Sequence, residues 1–254
     1  SSDLDNHKVL FSSMRRQGPL GQNPYYGTEI NYLLRDYNED DTTHINIEIR
    51  NSEGEVVRSF SSKEKYNAKK ITLKKGYSSV RWDGDVNGFV LPDKVMVPRG
   101  SDGYISSYNT IPGEYSVTLT YGNFKSESNF SIIADPRQET SAEDFSSKSE
   151  LLEKIHNDID DIYSSLSKIQ DARRQLSELT ARISPDYEEI ISLSKETVQL
   201  IDETEKELIS PRQKTFQDVI NFRNQLDSHL LDLLSTVNGS IPPLTRGHQL
   251  RYDD

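Results

Sequence analysis

The chain contains no cysteine among its 254 residues. That excludes disulfides, thiolate metal sites and cysteine nucleophiles, and it leaves the compartment open. Long apolar runs are missing too: no stretch of about 18 apolar residues occurs, so nothing reads as a transmembrane helix. Hydrophobic residues make up only 33% of the chain, and the mean hydropathy is -0.73. A thin core under a large wetted surface follows, as in elongated or helical-arm proteins. Leu, Ile, Val and Phe still amount to about a quarter of the residues, above the level of roughly 20% below which chains stay disordered. Positive charge is in deficit, with 30 Lys and Arg against 41 Asp and Glu and a net charge of -11. That balance excludes nucleic-acid phosphate as the main partner. The amino terminus, Ser1-Ser2-Asp3-Leu4, has neither a basic n-region nor an apolar h-region. The expectation there is a removed signal or a fragment of a longer protein.

Chain breakers are unevenly spread. Glycine is scattered through the first half and then absent from Asn123 to Asn238, and between 141 and 238 the only prolines are Pro185 and Pro211. Charge shifts at the same place, from a net -2 over residues 1–140 to -9 over 141–254. Two grammars meet near residue 140.

The first half alternates. Ile45, Ile47 and Ile49 interleave with Asn46 and Glu48, the period-two signature of a half-buried strand. Glu53-Gly54 reads as a turn and Val56-Val57 as the start of the return strand. Ile71/Leu73, Val80/Trp82, Tyr115/Val117/Leu119/Tyr121 and Phe130/Ile132 repeat the pattern, with Glu29 to Leu34 as one more strand. Gly122-Asn123 is a two-residue hairpin turn before Phe124. Six or seven short strands with turns between them predict an Ig-like antiparallel β-sandwich over 20–137.

The second half predicts three helices over 140–240, at about 142–183, 185–209 and 211–237. Ser184-Pro185 and Ser210-Pro211 each set an N-cap residue before a first-turn proline, and Gln213 stands at capping-box distance from Ser210. Leu152, Ile155, Ile159, Ile162, Leu166, Ile169, Leu176 and Ile183 keep three-four spacing, interrupted by Arg173 and Thr180. Val219, Leu226, Leu230, Leu233 and Val237 do the same with Arg223 in the seam; the middle helix carries Tyr187, Ile190, Ile191, Val198, Ile201 and Leu208. Connections of one or two residues force antiparallel neighbours, hence a coiled-coil-like three-helix arm followed by a tail at 241–254. The expected class is α+β with segregated domains. At about 1.5 Å per residue the first helix is ~60 Å long and its partners ~40 Å each. The N-terminal turns of the first helix are therefore under-covered, which makes Leu151, Leu152 and Ile155 candidates for docking on the sandwich, on a partner or on a second copy.

Reactive constellations are scarce. His7, His44, His156, His229 and His248 show no metal-ligand spacing, and no Gly-rich phosphate loop, HExxH or GxSxG is present. No catalytic residue and no cofactor is expected. Asp83-Gly84-Asp85-Val86-Asn87-Gly88 matches the first six positions of an EF-hand loop, but Lys94 occupies position 12, where a bidentate Glu is required. A tight turn is the leading reading of Asp83, Asp85 and Asn87, with calcium the minor one. Residues 89–110 form a long insertion rich in apolar and aromatic groups, among them Tyr104 and Tyr108. Such a loop either binds something or folds over an open sheet edge.

The order of several motifs is similar to a known family. Gly21-Gln22-Asn23-Pro24, Gly27-Thr28-Glu29-Ile30-Asn31-Tyr32, Ile47-Glu48-Ile49-Arg50 and Gly54-Glu55-Val56-Val57-Arg58 open it. Val80-Arg81-Trp82-Asp83, the run Ile111-Pro112-Gly113-Glu114-Tyr115-Ser116-Val117-Thr118-Leu119, and Ala134-Asp135-Pro136-Arg137 follow. Over about residues 20–245 the chain resembles the C-terminal region of bacterial sortilin-like β-propeller proteins, often labelled BNR-repeat glycosyl hydrolases. Trp82-Asp83-Gly84 through Gly88 also looks like the Ig-like module of flagellar hook-assembly proteins. The resemblance implies an exported bacterial protein, in the periplasm, at the cell surface or secreted, with residues 1–19 as the linker from an absent upstream propeller. Its partners would be that propeller or another exported protein, with self-association through the arm as a further option. No propeller repeat lies in this chain, so no catalytic residue carries over and no enzyme activity is expected of it. The competing expectation is an accessory carbohydrate-binding or carbohydrate-processing unit, with Trp82, Tyr104 and Tyr108 stacking on sugar.

Overall fold

The structure, a computed structural model, describes residues 9–11, 27–35, 37, 42–97, 103–215 and 217–254. The expected 1–19 linker, apart from residues 9–11, the Gly21-Gln22-Asn23-Pro24 motif and His7 lie outside the described residues. Strands occupy the N-terminal half and helices the C-terminal half, as segregated α+β composition predicts. The chain divides into two compact units, and the division is not a single cut. Ser1–Gly88 and Ser106–Ser141 form the first, while Phe89–Ile105 and Ala142–Asp254 form the second.

In the first unit the alternating segments become strands β2 (Thr28–Leu34), β3 (Ile45–Arg50), β4 (Val56–Ser61) and β5 (Gly76–Trp82). β1 (Val9–Phe11), inside the stretch expected as linker, pairs antiparallel with β2. The order β1-β2-β5 makes one antiparallel sheet. β4-β3-β8-β9 makes the other, with β8 at Gly113–Tyr121 and β9 at Phe124–Ile132. The β8–β9 hairpin turns at Gly122-Asn123, where Gly122 has φ 56° and Tyr121 pairs with Phe124. That left-handed conformation is why glycine stands there. Ile71 and Leu73, read as a strand, belong to none; Ile71 is buried and its N–H donates to Ser61 O at 3.0 Å. Inward residues of both sheets share one core: Ile30, Tyr32, Leu34, Ile45, Ile47, Ile49, Phe60, Trp82, Tyr115, Val117 and Leu119. Burying each such side chain contributes roughly 1.5–3 kcal/mol.

The second unit holds β6 (Phe89–Val90) paired with β7 (Tyr104–Ile105), and all the helices. Helix α1 runs Ala142–Arg182 and α2 Glu188–Leu208. Ser184-Pro185 does not start α2, because Tyr187 N–H closes a turn onto Ser184 O at 3.1 Å and the helix begins after it. The third helix expected at 211–237 is broken. A short α3 (Asp218–Asn221) and α4 (Leu226–Gly239) stand instead. Asp218 Oδ2 accepts the backbone N–H groups of Lys214 and Thr215 at 2.9 and 2.8 Å, a local alternative to helix that this stretch takes. Gln213 is not the far end of a capping box; it is buried and donates from Nε2 to Asn224 Oδ1 at 3.2 Å. The expected tail contains α5 (Arg246–Asp253).

The partners of α1 lie in series along it. Lys148 Nζ donates to the carbonyls of Asn238 and Ser240 at the end of α4, at 2.8 and 2.7 Å. Further along, Arg173 and Gln170 reach Glu205 on α2. So α4 flanks the first part of α1 and α2 the last. Every buried residue of α1, from Leu151 to Leu166, falls in the first part.

Candidate functional site

The EF-hand-like turn is built around an arginine that the motif does not contain. Arg58 alternates with Val57 and Ser59 on β4 and points inward beside Phe60, whose ring lies 5.1 Å below its guanidinium. Its side chain is 4% exposed. Nη1 stands 3.1 Å from Asp85 Oδ2 and donates to Val86 O at 3.2 Å, while Nη2 donates to Ala68 O at 2.9 Å. Asn87 Oδ1 accepts the N–H of Ser59 at 3.2 Å, and Trp82 Nε1 donates to Asp85 O at 2.7 Å. Burial pushes the Asp85 carboxyl above its ordinary pKa; Arg58 pulls it down and Asp83 adds to the rise. The turn therefore spends Asp85 and Asn87 on protein groups. Among the described residues no group of three or more His, Asp or Glu is placed to hold a metal ion.

The aromatic and aliphatic candidates are all interior. Trp82 is 1% exposed and meets Tyr115 and Phe130 edge-on at 5.9 and 5.8 Å. Tyr104 and Tyr108 are buried, as are Leu151, Leu152 and Ile155. These last three were the residues expected to dock on the sandwich, on a partner or on a second copy; they are buried. Within the second unit, α4 and the inserted ribbon pack on this part of α1: Phe89 is buried, its ring tilted 32° to that of His156 at 4.5 Å and edge-on to Tyr163 at 6.0 Å. Burial lowers the His156 pKa, with Asp160 opposing.

Two charged constellations escape sequence reasoning. On the distal part of α1, Arg173 Nη2 lies 2.5 Å from Glu205 Oε2 and 2.9 Å from Asp202 Oδ1. Gln170 Nε2 donates to Glu205 Oε1 at 3.0 Å and to Asp93 O at 2.8 Å. Burial raises the Glu205 pKa, but Arg173, Gln170 and Lys94 together outweigh it and hold the carboxyl below its ordinary value. Beside this pair a cleft of about 430 Å³ opens between the inserted loop and α1, with Lys94, Asp171, Arg173 and Arg174 on its walls. Its guanidinium groups face carboxylates already, Arg174 pairing with Asp171 at 2.9 Å. The second constellation is Asp227, buried in the first turn of α4 beside Tyr163. Burial pushes its carboxyl up to about 6, against the pull of Ser228, Tyr163 and His229. Arg173 was visible in the sequence as a break in the apolar seam. Asp227 had no signal, since its helix face is set only by where α4 begins.

No protein-family model matches the chain, and no curated protein matches it either.

Proposed function

We propose that the chain is a non-catalytic structural and protein-interaction module, an Ig-like sandwich joined to a three-helix arm made by α1, α2 and α4. In this reading it ends an exported sortilin-like β-propeller protein and meets that propeller or another exported protein. The observation that carries it is the commitment of reactive side chains to internal struts, Arg58 to Asp85 and Arg173 to Glu205. An Ig-like assignment is supported by two antiparallel sheets sharing one core around a buried Trp82. Tyr115, early in β8, also donates its hydroxyl back to Ile111 O at 2.7 Å, the bond of a tyrosine corner.

The carbohydrate-binding reading requires an exposed aromatic platform, and its three aromatic candidates, Trp82, Tyr104 and Tyr108, are buried. The test is the coding sequence upstream of Ser1 together with binding of the encoded domain to this chain. Propeller repeats there, and their capture by the purified chain, support the module. A different upstream domain removes the propeller assignment, and binding of glycans by the chain alone would favour the carbohydrate reading.

A further inference from the structure

The hairpin of α1 and α2 beyond Leu166 has an apolar face that, among the described residues, nothing in the second unit covers. Leu193 and Leu200 are each 63% exposed, Leu179 is 47% and Ile190 43% exposed. On α1, Ile169, Leu176 and Ile183 fall at intervals of seven, with Ala172 and Leu179 beside them. On α2, Ile190, Thr197 and Thr204 do the same, with Leu193 and Leu200 beside them. The α1–α2 seam is marked by Arg173 on one helix and Ser194, Ile201 and Glu205 on the other. At about 100° per residue, each stripe lies roughly 80–90° from the seam in the same rotational sense. In antiparallel helices an equal sense places both stripes on one face of the hairpin. The described part of the inserted loop meets α1 at Gln170, on the other flank.

Charge identifies the occupant. The outer border of the stripe on α1 is the row Lys168, Gln175, Arg182, and the outer border on α2 is the row Glu189, Glu196, Glu203, all exposed. One edge of the face is basic and the other acidic. We propose that this face binds a second copy of the chain as a two-fold dimer whose axis runs parallel to the helices. Such an axis lays α1 of one copy over α2 of the other, so each basic row borders an acidic row. The alternative axis, perpendicular to the helices, lays α1 on α1 and α2 on α2 and sets like charges together. The arrangement is a four-helix bundle assembled from two hairpins, with the e/g-type charge rows that fix partner orientation in coiled coils. The face is about 22 Å long and two helices wide, about 450 Å² per copy, which is below the ~800 Å² of a standard interface and makes this a weak dimer.

This deepens the reading of the chain as an interaction module by naming one partner, and its test is separate from the upstream-domain test. Sedimentation of the purified full chain from about 5 to 500 µM should show monomer passing to dimer with a micromolar Kd. Leu193→Glu with Leu200→Glu, at positions already exposed, should abolish dimerisation while far-ultraviolet circular dichroism stays unchanged. Arg182→Glu alone should weaken the dimer at least about tenfold, and adding Glu196→Lys should restore it, because the two residues face each other across the interface. A chain that stays monomeric throughout, a dimer indifferent to the leucine substitutions, or a charge swap that fails to restore association would each overturn the proposal. The upstream-domain result would be untouched by any of them.

Discussion

The Arg58 guanidinium, inward-facing on β4, stands 3.1 Å from the Asp85 carboxylate, and both side chains are largely buried. It ties β4 to the turn after β5 and to the segment around Ala68 by three separate contacts. A buried pair of this kind resists the loss of one partner more than it adds net stability, since the survivor is left charged and unsolvated. Arg58→Met should therefore destabilise the first unit by about 3–5 kcal/mol in denaturant unfolding. Arg58→Lys should recover only part of that, because an ammonium cannot fork to Asp85, Val86 and Ala68 together. Equal stability of all three proteins would show that the strut is dispensable.

The same contacts bear on calcium. Asp85 faces Arg58, Asn87 Oδ1 accepts the Ser59 N–H, and Lys94 holds the place of the closing carboxylate. Thermal melts in chelator and in millimolar calcium should superimpose. A rise of several degrees with calcium, lost in Asp85→Ala, is the result that would contradict this.

Stability of the helical unit should peak in mildly acidic solution. The folded Asp227 carboxyl titrates at about 6, above its ordinary 3.8. Its contribution is fully present below about pH 4 and is lost as pH rises through 6. A displacement of roughly two pH units corresponds to about 3 kcal/mol. Glu205 is displaced the other way, so its contribution is present above its ordinary pKa of 4.5 and is lost as pH falls through its depressed folded value. Urea unfolding followed by circular dichroism should give the highest midpoint between about pH 4.5 and 6. Asp227→Asn should raise stability at pH 7.5 and flatten the loss above 6; an unchanged pH profile would remove Asp227 as its source.

Trp82 reports on the first core directly. With its ring buried between Tyr115 and Phe130 and its Nε1 bonded to Asp85 O, emission should be blue-shifted, resistant to iodide and indifferent to soluble glycans. A red, iodide-quenched spectrum would place the ring in water instead.

Phe89 tests which unit owns the insertion. Its side chain is buried against His156 and Tyr163. Phe89→Ala should cost about 3–5 kcal/mol, felt in the helical signal rather than in Trp82 emission. The opposite distribution would assign the ribbon to the sheets.

Local pattern was enough for much of this chain. Period-two alternation placed β3, β5 and β8, because a strand with one buried face must alternate. The absence of glycine between Asn123 and Asn238 and the three-four spacing from Leu152 onward marked α1 to within a residue of its observed end. The phase that Trp82 shares with Val80 suggests an inward ring, and the ring is buried. Tertiary structure decided what periodicity cannot carry. Whether 211–237 stays one helix depends on Asp218 bonding the N–H groups of Lys214 and Thr215, a competition between near-equal local options. Leu151, Leu152 and Ile155 were legible as apolar but not as covered, since the elements packed on this part of α1 include α4 and a ribbon more than fifty residues upstream. Asp85 and Arg58 are 27 positions apart, and Arg173 and Glu205 are 32 apart. A charge reads as solvated until a distant strand or helix supplies its partner, so the sequence determined most of the elements and their apolar faces, and the fold alone determined which charges are struts.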